Sequence, residues 1–202
     1  MKVTHSLSVL AAHVPACTIG QAGRIWGMSY RAAALKLGDF ERQGLVRSVS
    51  FATRFFDRPT SPLHVHEPCT EIVPAQCKEL SALFRARYRK AKVVPLRMFA
   101  VTPKALNILG CVDVKPSTPM TASHDLLVTE VYLANRHRGV WRYEPEPPEG
   151  RRKFEKQPDA GLFSSDGIPQ VFIEIAGSYR AERLAALMEF SNGSGVPLEF
   201  WQ

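Results

Sequence analysis

The chain has 202 residues, 45% of them hydrophobic and 22% charged, with a formal net charge of +7. That leaves room for one large domain or two small ones, each able to bury a core. No run approaches the ~18 apolar residues of a membrane helix, and no early stretch has a signal-peptide pattern, so a soluble cytoplasmic protein with no membrane partner is expected. The charge is uneven: residues 1–123 hold 17 Lys/Arg against 7 Asp/Glu, and residues 124–202 hold 9 against 12. A basic front and a mildly acidic back suit a DNA-binding module followed by a metal-dependent one, chance imbalance being the plainer alternative.

From the start, Leu7, Leu10, Ala11 and Val14 give residues 4–13 a short helical pattern. Thr18 is a good N-cap for a helix to about Trp26, with Ile19, Ala22 and Ile25 on one face. Gly27-Met28 breaks it, and Ser29 caps a helix of about fourteen residues that buries Ala33, Leu37 and Phe40 and stops at Gly44. Leu45-Val46 then begins a strand. Helix, short turn, helix, strand is the rhythm of a winged helix-turn-helix; a small helical hairpin with a polar face is the plainer reading. In the winged-helix reading Arg24, Ser29, Tyr30, Arg31, Lys36 and Arg54 are the candidate DNA contacts. Basic side chains and the helix N-terminus would fix register on phosphates, and Tyr30 or Arg31 would touch base edges.

Ser48–Phe56 alternates like a wing strand, with Leu63–Glu67 as its expected return. Four cysteines without a C-x-x-C pair imply no disulfide framework. His64, His66, Cys69 and Cys77 have zinc-ligand chemistry, but their spacing matches no common zinc module, and exposed histidines with structural cysteines are preferred. Pro74 to about Arg89 is expected as a third long helix with Leu80, Leu83 and Phe84 inward. It ends in Arg85, Arg87, Arg89, Lys90 and Lys92, either a solvated helix end or a phosphate-binding edge. A strand at Val93–Val101 and a helix from Thr102-Pro103 to Gly110 follow. Residues 112–122, with Pro116, Ser117, Thr118 and Pro119, have the composition of a linker between domains 1–111 and 123–202.

The back half opens with an amphipathic helix, His124–Leu133, carrying His124, Leu127, Glu130 and Val131 on or near one side. A strand at Trp141–Glu144 precedes a turn at Pro145–Gly150 and a basic loop, Arg151-Arg152-Lys153. Two further strands, Gln157–Ala160 and Val171–Gly177, flank a turn at Ser164-Ser165-Asp166-Gly167. Each carries an acid, Asp159 and Glu174, at a separation that suits facing positions across a hairpin. Neighbouring buried acids repel, and such pairs are tolerated where they bind a cation or serve catalysis. A helix from Tyr179 to about Phe190 and a strand at Pro197–Trp201 complete an αβββαβ order. The fold class expected is α+β: a winged helix-turn-helix followed by a small restriction-endonuclease-like domain.

The segments "RAAALKLGDFERQGLV" (31–46), "MFAVTPKALNILG" (98–110), "HDLLVTEVYL" (124–133), "PDA" (158–160) and "IEIAGSYRAERLAALMEF" (173–190) lie in an order that resembles the replication-relaxation family. That family joins a winged helix to a PD-(D/E)xK-like domain and is similar to MobC-type plasmid relaxases. The resemblance implies binding of double-stranded DNA, association with a plasmid or mobile element, and metal-dependent strand cleavage. By position it gives Glu130 as the helix acid, Asp159 as the PD aspartate and Glu174 as the ExK glutamate. Ala176 departs from the ExK lysine. Asp159 and Glu174 would hold Mg²⁺, with Glu130 or Glu144 through water, lowering the pKa of an attacking water. Arg180, Arg183 or Lys156 would stand in for the lysine. Tyr179 is a candidate nucleophile by proximity, packing against the sheet being the ordinary role. Two functions remain: a DNA-binding protein on a degenerate nuclease-like frame, or a metal-dependent nickase. A homodimer on a palindromic site fits the winged-helix class, although no dedicated dimer helix is evident.

Overall fold

A computed structural model of the chain describes residues 2–55, 58–110, 121–143 and 157–202. Mixed α+β structure results, with seven helices and two sheets among the described residues. Two compact units divide the chain, and they interleave in sequence. The first comprises Met1–Asp57 and Lys92–Leu133, the second Arg58–Ala91 and Ala134–Gln202. These bounds differ from the domains drawn on composition, because strand pairing brings together segments far apart along the chain. Most of the expected linker and the whole basic loop at 151–153 lie outside the described residues.

In the first unit, α1 (Lys2–His13), α2 (Ile19–Trp26) and α3 (Tyr30–Arg42) follow one another closely. The capping residues act as their chemistry predicts. Thr18 Oγ1 accepts from Gln21 N while the Gln21 side chain accepts from Thr18 N, a reciprocal capping box. Gly27 ends α2 at φ 64°, a backbone glycine adopts without a Cβ penalty. Ser29 then caps α3, whose Ala33, Leu37 and Phe40 are buried. Burying Leu37 and Phe40 contributes roughly 3–6 kcal/mol together. Strand β1 (Val46–Phe55) pairs in antiparallel register along its whole length with β3 (Lys92–Val101). One face of this ribbon, through Phe51, Leu96, Met98 and Ala100, packs with Ala122 and Leu126 of helix α6 (Ala122–Asn135). Helix α5 (Pro103–Leu109), capped by Thr102 and Gly110, completes the unit.

The expected return strand at Leu63–Glu67 is therefore corrected. The partner of β1 is β3, and β2 (His64–His66) pairs instead with β7 (Leu198–Trp201) in the second unit. That unit is built on a five-stranded sheet in the order β2-β7-β6-β5-β4, where β4 is Val140–Tyr143, β5 Ala160–Phe163 and β6 Pro169–Ile175. Strand β5 thus begins where the expected strand at Gln157–Ala160 ends, which leaves Asp159 at its mouth. Strands β4, β5 and β6 run antiparallel, whereas β6 and β7 are parallel and joined through helix α7 (Ala181–Ser194). The β5–β6 turn closes with Ser164 N donating to Ile168 O and Gly167 at φ 81°. Phe172, Ala176, Leu198 and Phe200 face Leu184, Leu187, Met188 and Phe190 of α7 in one core. Helix α4 (Pro74–Lys90) adds Cys77 and Phe84 to that core. Leu83, expected inward, is exposed instead; the inward stripe is Cys77, Ser81 and Phe84. No described helix is long and apolar enough to cross a membrane.

Candidate functional site

Asp159 and Glu174 are brought together in the second unit. Ala160 pairs with Ile173, so one step further along the same register sets Asp159 beside Glu174. Strand alternation puts Glu174 on the face shared by Phe172 and Ala176, beneath α7, and its exposure is 0%. Burial, and then the Asp159 charge, push the Glu174 carboxyl up from 4.5 to about 8, against the opposing pull of Arg183 and Tyr179. Arg183, in the first turn of α7, donates from Nη2 to Glu174 Oε1 at 2.8 Å and to Tyr179 Oη at 3.2 Å. Its guanidinium lies 4.2 Å from the Tyr179 ring centroid. Asp159 Oδ2 accepts from Ile175 N at 2.8 Å. Among the described residues, Glu174 Oε2 is buried and makes no hydrogen bond.

Position 176 is a buried alanine, and the cation that reaches the acid pair comes from the next helix. Of the three cations considered in place of the lysine, Arg183 pairs with Glu174, Arg180 is exposed at the N-cap of α7, and Lys156 lies outside the described residues. Tyr179 donates its hydroxyl to Ile175 O at 3.0 Å. Burial and the Glu174 and Asp159 charges raise its pKa well above 10, which works against forming the phenolate a nucleophile needs. Packing and hydrogen bonding are what the tyrosine does here.

A Mg²⁺ ion asks for one or two carboxylates and fills its remaining positions with water and phosphate oxygens. The Asp159–Glu174 pair meets that minimum, and the orphaned Glu174 Oε2 is the kind of buried acceptor a cation satisfies. Glu130 is held in the first unit, where its Oε1 accepts from Gln21 Nε2 at 2.9 Å and pairs with Arg24. Glu144 lies outside the described residues. The zinc-type residues go separate ways: Cys77 Sγ packs on Met188 in the core, His66 Nε2 meets Asn192 Oδ1 at 3.0 Å, the His64 ring lies against Phe200, and Cys69 is exposed. No group of three metal-ligand residues comes together among the described residues.

The other sequence candidates sit in the first unit. Ser29, Tyr30 and Arg31 are exposed at the start of α3, and Tyr30 reaches 65%. Lys36 donates to Ser6 Oγ at 2.6 Å and lies 5.2 Å from the Trp26 ring centroid, while Arg24 is taken up by Glu130. Both are turned to intramolecular partners. Arg54 is half-buried near the far end of β1, opposite Val93. Arg97 escapes the sequence reading: it stands on β3 opposite Ser50 and donates to Glu41 Oε2 at 2.9 Å. Its one signal is its place as the lone cation in the apolar run Val93–Val101.

No protein-family model matches the chain, and neither a curated protein nor a solved structure does.

Proposed function

We propose that the chain is a DNA-binding protein of a plasmid or mobile element, with the first unit acting as a winged helix-turn-helix. In this reading α3 is the recognition helix, and Ser29, Tyr30 and Arg31 meet the major groove of double-stranded DNA. The observation that carries it is the two-sidedness of α3: its Ala33, Leu37 and Phe40 are sealed, while its first turn, aromatic and cationic with no acid, is open. Helix N-termini favour phosphate oxygens, and an exposed Tyr-Arg pair beside one can reach base edges. The ribbon of β1 and β3 supplies the wing. The mobile-element context rests on the resemblance to the replication-relaxation family.

The test is fluorescence anisotropy with a labelled duplex, using wild type and Tyr30→Ala/Arg31→Ala. Wild type should bind with a salt-dependent Kd and the double variant at least tenfold more weakly, with unchanged circular dichroism. Equal binding by both proteins would sink the assignment of α3.

The buried, unpaired Glu174 Oε2 next to Asp159 favours a second reading, metal-dependent DNA nicking in a restriction-endonuclease-like second unit. There Asp159 and Glu174 would hold Mg²⁺, which would supply Lewis-acid activation of a water at the phosphodiester. Arg183 would hold Glu174 in place and offset charge at the acid pair. Supercoiled plasmid converted to open circle with Mg²⁺ or Mn²⁺, but not with EDTA or with Asp159→Ala/Glu174→Ala, would establish it. A plasmid that is bound and left intact in every condition leaves the acids a structural role.

A further inference from the structure

Helix α4 carries five cations and one acid, Glu79. Its inward stripe, Cys77, Ser81 and Phe84, fastens it to the end of β6 where the acid pair lies. Ser81 Oγ donates to Tyr179 O at 2.7 Å, and Gln202 Nε2 bridges Phe84 O at 3.0 Å and Ala176 O at 2.9 Å. Arg85 Nε donates to the same Ser81 Oγ at 3.2 Å. One hydroxyl thus ties the Arg85 guanidinium to the Tyr179 carbonyl, just before the chain turns to exposed Arg180. At 100° per residue, Lys78, Arg85 and Arg89 share the flank next to the inward stripe, with Ala82 at its outer margin. Lys78 and Arg89 are exposed, and the exposed Ala82 beside them is small enough to let a rod-like partner approach. With 1.5 Å of rise per residue, Lys78 to Arg85 spans about 10 Å and Arg85 to Arg89 about 6 Å. Long cationic side chains spaced in this way along one face can each meet a different phosphate of a duplex.

We propose that the Lys78–Arg85–Arg89 flank of α4 is a second DNA-contacting surface, belonging to the second unit, that holds sugar-phosphate backbone alongside the Asp159–Glu174 pair. The inference rests on the reading of the chain as a DNA-binding protein, and extends it from α3 to a surface with its own phosphate contacts. The contacts proposed there are to phosphates, which fix position without reading sequence, so binding at this flank is sequence-independent.

The experiment is a salt titration of full-length protein on a labelled duplex of arbitrary sequence, with four variants. Lys78→Gln/Arg89→Gln should flatten the slope of log Kobs against log[KCl] by about 1.8, and addition of Arg85→Gln by about 2.7, at roughly 0.9 for each phosphate no longer neutralised. Arg58→Gln/Arg136→Gln removes two exposed cations of the same unit that do not belong to α4 and should leave the slope unchanged. Circular dichroism verifies folding of each. A slope equal to wild type in the α4 variants, while Tyr30→Ala/Arg31→Ala still weakens binding, would overturn the α4 surface and leave the DNA-binding reading standing. Wild-type protein that binds no duplex would overturn both.

Discussion

Replacing Glu174 by glutamine isolates what the buried acid does to the fold. The carboxyl sits at 0% exposure with a folded-state pKa of about 8, raised from 4.5 by burial and then by the Asp159 charge. An acid whose pKa rises on folding binds its proton more tightly in the native state. Its contribution to stability is therefore full below about pH 4.5 and is lost as pH rises through about 8. Between pH 5 and pH 8 the difference in proton binding at Glu174 amounts to about 3 to 4 kcal/mol. Glutamine has the same shape, stays neutral, and can still accept from Arg183 Nη2. The assay is urea unfolding followed by tryptophan fluorescence in a Trp26→Phe background, so that buried Trp141 and Trp201 report the second unit. With Glu174 in place the midpoint should fall steeply from pH 5 to pH 8. With Glu174→Gln it should be nearly flat, and the variant should be the more stable protein at pH 8. A slope of the same size in both proteins would refute the reasoning, since some other group would then carry the titration.

In the first unit, Phe40→Ala removes a fully buried ring that meets Trp26 edge-on at 6.2 Å and should cost about 3–5 kcal/mol, read from the denaturation midpoint by circular dichroism. Arg24→Ala leaves buried Glu130 with a weaker partner set and should cost about 1–3 kcal/mol while leaving duplex affinity within twofold. A large drop in affinity at unchanged stability would instead return Arg24 to the DNA contacts.

Local chemistry is legible in the sequence. Thr18, Ser29 and Thr102 cap helices because each offers a hydroxyl to a backbone N–H three residues on, and nothing distant overrides that. The spacing of Asp159 and Glu174 marks them as hairpin neighbours, but a register shift between Leu162 and Phe163 decides that they face each other. What the sequence hides is non-local. The residues following β1 look like a wing return, yet its partner lies beyond α4, and no periodicity records which of several strands will pair. Leu83 reads as an inward residue on apolar character alone, whereas helical phase decides. The sheet accepts Cys77, Ser81 and Phe84, and the serine is tolerated because Tyr179 O accepts its hydroxyl proton. Glu130 has the residue type and helical position of a catalytic acid, and only its contacts reveal Gln21 and Arg24 as its partners. The cation at the acid pair is legible as a class of residue, but choosing Arg183 requires the path of α7.

Because the two units interleave, the ribosome delivers them out of step. Every piece of the first unit has been made once Leu133 emerges, but by then the α4 segment is already out and the strands it packs against are not. Cys77 and Phe84 must wait for β5, β6, α7 and β7, and β2 must wait for β7 before its edge is covered. At ~5–20 residues per second, the ~70 residues in between take several seconds. During that interval an apolar stripe and a bare strand are exposed on a nascent chain. The basic run at the end of α4 then serves as a solubilising flank, and a chaperone that recognises short apolar helices would find its substrate at residues 74–90.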